Sequence, residues 1–149
     1  MAELKLVVNE QKTRICRASE STFDFLGYTI GVRRNRKTGE PYIGVCPSHE
    51  RVSEVLRAIT EQTGRKWGWF DEREMVKRLN WTLRGWANYF SLGGWNRVSC
   101  RIDQHVQRRL RQWMCTKHKV SSGGYRKWSH LYFYDNGLVR LKGRPCISS

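Results

Sequence analysis

Met75, Leu79, Leu83, Trp86 and Phe90 step along the chain by four, four, three and four residues. That spacing puts all five on one stripe of an α-helix. The helix is expected to start at Asp71, with Glu74 three residues on as in a capping box. Two more stripes flank it. Val52, Val55, Leu56 and Ile59 follow Pro47-Ser48, where Ser48 is a good N-cap, and Gly64 closes the run. Val98, Ile102, Val106, Leu110 and Trp113 follow Asn96, beyond the Gly93-Gly94 break. An amphipathic helix cannot bury its own stripe, so three in succession predict a compact three-helix bundle over residues 47–120.

The flanks read differently. In residues 1–46, Phe23, Phe25 and Tyr28 to Ile30 fall near period two, with Gly27 interrupting the run. Asn35-Arg36-Lys37-Thr38-Gly39 is a turn signal, and Pro41 to Val45 can return as a partner strand. The hairpin would carry Arg33, Arg34, Arg36 and Lys37 at its tip, either as a solvated turn or as a phosphate contact. In residues 121–149, Ser121-Ser122-Gly123-Gly124 reads as a flexible joint. Leu131 to Tyr134 and Leu138 to Leu141 flank Asp135-Asn136-Gly137, an Asn-Gly hairpin signal. The residues from Gly143 onward look loosely held. The expected class is α+β: an N-terminal hairpin, a central three-helix bundle and a C-terminal hairpin.

Charge narrows the function. Twenty-eight Lys and Arg against 13 Asp and Glu leave a formal +15 in 149 residues. Seven Trp, six Tyr and five Phe spread through the chain make a disordered basic tail untenable. A folded domain with that field repels itself, and a polyanion relieves the repulsion. Nucleic acid is the leading partner, because neutralising phosphates releases counterions whatever the base sequence. The aromatics recur inside helical stripes and do not form one exposed apolar face, and no run is long enough to span a bilayer, so a membrane partner is not expected. Cys16, Cys46, Cys100, Cys115 and Cys146 are odd in number and widely spaced, and they form no metal-ligand pattern with His49, His105, His118 and His130. Reduced thiols, a cytoplasmic setting and no metal or other cofactor are expected.

The densest charge falls on the third helix. It carries Arg101, Arg108, Arg109 and Arg111, continuing into Lys117 and Lys119; Arg101 and Arg108 are seven apart on one face, Arg111 extends that face, and Asp103 is the only acid among them. A basic ridge opposite an apolar stripe suits a helix lying along a phosphate backbone. Arg65-Lys66-Trp67-Gly68-Trp69-Phe70 mixes phosphate-binding and base-stacking types, with Trp67 and Trp69 open between packing and stacking. On the second helix Trp86 and Phe90 sit on the apolar stripe and read as core. Arg84, Asn88 and Tyr89 lie off it and are contact candidates. Gly85 would let another backbone approach closely.

Two segments carry a family resemblance. Glu10-Gln11-Lys12-Thr13 followed by Phe23-Asp24-Phe25-Leu26-Gly27-Tyr28-Thr29-Ile30 resembles the end of the palm in reverse transcriptases encoded by group II introns. Leu79-Asn80-Trp81-Thr82-Leu83-Arg84-Gly85-Trp86-Ala87-Asn88-Tyr89-Phe90 resembles the hallmark of their maturase-specific region. The resemblance spans roughly residues 10–134. It implies that Phe25, Leu26, Gly27 and Tyr28 form a primer-grip-like hairpin and that residues 47–120 are a helical thumb and maturase-specific domain binding intron RNA. In the intact enzyme it implies a template–primer duplex as a further partner, and an upstream reverse-transcriptase fragment as another. Family members polymerise with a Tyr-x-Asp-Asp palm segment holding two metal ions. Asp24, Asp71, Asp103 and Asp135 each stand alone here, so no catalytic residue is assigned and this chain alone is not expected to copy RNA. The expected RNA contacts are Arg33, Arg34, Arg36, Lys37, Arg65, Lys66, Arg84, Asn88, Tyr89, Arg101, Arg108, Arg111, Lys117 and Lys119. A C-terminal subunit completing a polymerase and a generic basic nucleic-acid-binding module are the alternatives.

Overall fold

The computed structural model describes residues 22–92, 96–121 and 123–141. Glu10 to Thr13, Cys16, Cys146, the Gly93-Gly94 break, Ser122 and the tail from Gly143 lie outside the described residues. Among the described residues three antiparallel strands come first, β1 (Phe23–Phe25), β2 (Tyr28–Arg34) and β3 (Pro41–Pro47), paired in the order β1-β2-β3. Helices follow: α1 (His49–Gln62), α2 (Glu72–Tyr89), α3 (Asn96–Lys117) and a short α4 (His130–Asp135), with one 3₁₀ turn at Arg65–Trp67. The molecule is mixed α+β.

Phe25 pairs with Tyr28, which leaves Leu26 and Gly27 as a two-residue loop. Both have positive φ, 49° and 80°, the geometry a tight hairpin needs to match strand twist. Gly27 is therefore the turn itself. At the other end, Arg34 pairs with Pro41. The backbone of Asn35 bonds Glu40 and Gly39, and its side chain accepts from Lys37 N at 2.9 Å, closing the basic tip.

The helices start and stop much as their sequence signals suggest. Ser48 Oγ accepts from Arg51 N at the head of α1. Asp71 caps α2 by accepting from Arg73 N, not through a reciprocal bond with Glu74. Gly64 is not the αL stop: Thr63 is the C-cap of α1, and Gly64 is already extended. The three stripes converge. Val55, Ile59, Met75, Leu79, Leu83, Ile102, Val106, Leu110 and Trp113 form one buried core.

The C-terminal hairpin is absent: residues His130–Asp135 are helical. Ser129 caps the helix by accepting from Tyr132 N. Asn136-Gly137, read as a hairpin turn, is a helix stop. Gly137 has φ 92°, Gly137 N bonds Tyr134 O, and Leu138 N bonds Phe133 O, the paired bonds of a Schellman motif. Phe133 and Leu138, joined by that motif, are both buried in the bundle core, together with Trp128 and Leu141. The strand that would have followed finds side chains in place of a partner strand. Asn80 Nδ2 donates to Gly137 O at 2.8 Å and Asn80 Oδ1 accepts from Val139 N at 2.8 Å. Asp103 Oδ1 accepts from Leu141 N at 3.0 Å. The backbone groups that a β-ladder would have paired are thereby satisfied by α2 and α3.

Gly123-Gly124 forms a turn whose second glycine is closely packed. Gly124 has φ 65°, and a Cβ there would lie 2.6 Å from the Trp128 ring and 2.7 Å from Cys115 Sγ.

Candidate nucleic-acid interface

The two resembling motifs, some sixty residues apart in sequence, meet in space. Tyr28 OH donates to Tyr89 O at 2.8 Å, and Tyr89 OH donates to Leu26 O at 3.3 Å. Tyr28 meets the Phe90 ring edge-on with centroids 5.1 Å apart. The Phe25–Tyr28 turn is thereby strapped to the end of α2. Tyr89 keeps 60% of its surface exposed while serving this strap. Gly85 is different from expectation: among the described residues a Cβ there would meet nothing within 4 Å, so none of their backbone approaches it. It lies on an open groove of about 490 Å³ between α1 and α2, beside Trp86.

On α3 the apolar stripe faces the core and Arg97, Arg101, Gln104, Arg108 and Gln112 face outward. Arg101 and Arg108 line a basin of about 640 Å³ together with His105, Gln104, Gln107, Arg111, Leu56 and Tyr125. Among the described residues no carboxylate lines it. Asp103, the one acid of the ridge, is buried and turned to Leu141 N.

The remaining cations of α3 serve the scaffold. Arg109 donates through Nε to Thr63 Oγ1 at 3.0 Å and through Nη2 to the carbonyls of Thr60 and Thr63. Those carbonyls end α1, whose own last turn has no basic residue, so Arg109 supplies the positive charge that a helix C-terminus favours. Arg111 is corrected from an exposed ridge residue: it is 8% exposed, and its Nε donates to Trp128 O at 2.9 Å. Its guanidinium lies 4.1 Å from the centroid of Tyr125, so it reaches the basin only from beneath that ring. Lys117 is likewise turned inward, to Phe70 O and the Trp113 ring. Lys119 is exposed in left-handed geometry just past the helix.

His105 sits between the two groups. Thr60 Oγ1 donates to Leu56 O at 2.9 Å, so it can only accept from His105 Nε2, also at 2.9 Å. The ring is therefore the Nε2–H tautomer, with Nδ1 accepting from Arg108 Nη2 at 3.3 Å. Burial, and then the neighbouring charges of Arg108, Arg109 and Arg101, push its pKa below the ordinary 6.5.

The other expected contacts are dispersed. Arg33, Arg34, Arg36 and Lys37 are exposed around the β2–β3 turn, Arg84 and Asn88 on the outer side of α2, and Arg65 and Lys66 on the 3₁₀ turn. Trp67 is half-buried, with the Arg78 guanidinium 4.2 Å from its ring centroid. Trp69 stacks on Phe70 at 4.4 Å and leaves 74% of its surface open. Only Arg101, Arg108 and the edge of Arg111 are gathered into one basin. Sequence reasoning missed Tyr125, Arg126 and Lys127. The aromatic followed by two cations was the signal that could have found them.

Among the described residues no helix is long and apolar enough to cross a membrane. No curated protein matches the chain. The family model of the group II intron, maturase-specific domain, matches residues 52–133, from the first turn of α1 through the buried Phe133 of α4. That match covers more than half of the chain and takes in α2, α3 and most of α1, so the chain belongs to the group II intron maturase-specific family.

Proposed function

We propose that this chain binds group II intron RNA through the outer face of α3 and so assists intron folding and splicing. Within an intact reverse transcriptase, the same surface would also help hold the template–primer duplex. The observation that carries this reading is the carboxylate-free basin of Arg101, Arg108, His105 and the edge of Arg111. Among the described residues no acid pairs with the guanidinium groups there, and they match phosphate oxygens in geometry. The exposed cations of the β2–β3 turn, the 3₁₀ turn and α2 would add contacts that track a backbone. A-form RNA is recognised by such backbone and shape contacts more than by base edges.

The chain is not proposed to polymerise by itself. Asp24 accepts from Thr29, Asp71 caps α2 and Asp103 holds Leu141 N, so these three carboxylates are already committed to structural bonds in different elements. The test is binding of folded intron RNA across a salt series. Steep weakening with salt is expected, and absent or salt-insensitive binding would refute the proposal. Equal affinity for random duplex DNA would favour a generic basic module instead.

One observation supports a second reading. Phe25, Leu26, Tyr42 and Ile43 of the sheet are each more than half exposed. A sheet with that many bare apolar side chains suits packing against another protein body, here an upstream reverse-transcriptase fragment. Primer extension with and without that fragment tests it.

A further inference from the structure

Tyr125 stands between two basins. On one side lies the Arg101–Arg108 basin. On the other is a smaller depression of about 390 Å³, lined by Val120, Gly123, Gly124, Arg126 and Lys127 as well as Tyr125 itself. Both depressions are walled by cations, and among the described residues neither is lined by a carboxylate. The ring between them is 69% exposed.

Its position is fixed from below. The Arg111 guanidinium lies 4.1 Å from the ring centroid and is itself held by Trp128 O. In the Gly123-Gly124 turn, with φ of 31° and 65°, Gly124 packs on Trp128 and Cys115 while Gly123 lies against the Tyr125 ring that follows. An exposed aromatic ring that is already ordered loses little freedom when a planar ligand covers it. A flexible surface tyrosine would give up more.

We propose that Tyr125 is a stacking post for an unpaired RNA nucleotide, with one flanking phosphate in the Arg101–Arg108 basin and the next against Arg126 and Lys127. This rests on the RNA-binding reading above and narrows it to a class of RNA element. Stacking on a protruding ring needs a free base face. A duplex offers none inside its stack, whereas a bulge, loop or single strand does. The phosphates on either side of such a base need cations on both sides of the ring, which is the arrangement here. Trp69 and Trp81 are also exposed, but Glu61, Asp71 and Glu74 stand among the cations of that stretch, so it lacks the unopposed charge of the Tyr125 site.

The experiment measures fluorescence anisotropy of the full chain with a short labelled single-stranded RNA, a duplex RNA of equal length and the folded intron RNA, each across the same salt series. Tyr125→Ala should weaken single-strand binding roughly 10-fold or more and leave duplex binding unchanged. Tyr125→Phe should keep wild-type affinity, which separates stacking from loss of fold. The double substitution R126Q/K127Q should flatten the single-strand salt slope by roughly 0.7 per charge removed. If the wild type binds RNA with steep salt dependence but Tyr125→Ala binds single strands normally, or loses duplex affinity equally, the stacking post is overturned and the broader reading stands. If the wild type binds none of the three RNAs, the broader reading fails first.

Discussion

Asn80 offers the sharpest test of how the C-terminal segment is held. It is 8% exposed, and its amide spans two backbone groups, donating to Gly137 O and accepting from Val139 N. Asn80→Asp keeps the shape and the acceptor but removes the donor. The lost bond costs about 1 kcal/mol, and a buried carbonyl left facing an oxygen adds about 1–3 kcal/mol. A loss of about 3 kcal/mol near neutral pH follows, or a fall in Tm on the order of 6–12 °C for a domain of this size. The loss should also depend on pH. A buried carboxyl facing a carbonyl has its folded pKa raised above the unfolded value of about 3.9. The protonated form can donate to Gly137 O, so stability is retained at low pH and lost as pH rises through the folded pKa. Urea unfolding followed by tryptophan fluorescence, at about pH 7 and about pH 4.5, reads both effects against wild type at the same pH. A variant within about 0.5 kcal/mol of wild type at neutral pH, or an equal loss at both pH values, would refute the clamp.

Gly85 and Gly124 should respond in opposite ways to alanine. Gly85→Ala fills open space on a helix and should stabilise the chain by about 0.5–1 kcal/mol; a lower urea midpoint would contradict this. Gly124→Ala combines positive φ with a collision against Trp128 and should cost about 3 kcal/mol on the same assay; no measurable loss would mean the turn is not packed as described. His105 titrates below 6.5 in the folded chain, so the folded state binds fewer protons than the unfolded one just under that pH. Stability should be full above pH 6.5 and decline as pH falls below it, and His105→Gln should flatten that decline in a Tm series. An unchanged pH profile in the variant would show that the ring is not held neutral.

The bundle was legible because its signal is redundant. Five residues on the α2 stripe and five on the α3 stripe all point one way, and tertiary contacts had only to confirm them. The C-terminal segment was misread because Asn136-Gly137 carries no period of its own. A positive-φ glycine closes a hairpin or a helix equally well, and the choice was made by Ser129 at the other end of a six-residue helix. Nothing local announces that Asn80 and Asp103 will supply the missing hydrogen bonds from sixty and forty residues away. The candidate site was half legible for a related reason. Seven-residue spacing correctly put Arg101 and Arg108 on one face, but the same arithmetic carried Arg111 with them. Its inward turn depends on Trp128, whose position no helical period encodes.

The division of labour among these cations bears on how much of the formal +15 reaches a partner. Among the described residues the ion pairs are Arg51–Glu54 and Lys77–Glu74, both on exposed helix surface. Arg109, Arg111, Arg78 and Lys117 are held instead by carbonyls, hydroxyls and aromatic rings. A carboxylate would cancel their charge; a carbonyl or a ring only orients it. A guanidinium can therefore brace the fold and still contribute its full unit to the outward field, as Arg111 does from beneath Tyr125. Replacing these arginines by lysine keeps the field but loses the planar fork that the scaffold uses. Such variants should lose stability while retaining the salt dependence of RNA binding, whereas Arg101→Gln and Arg108→Gln should do the reverse. The two roles of the same residue type become separable in that comparison, since one resides in hydrogen-bond geometry and the other in charge alone.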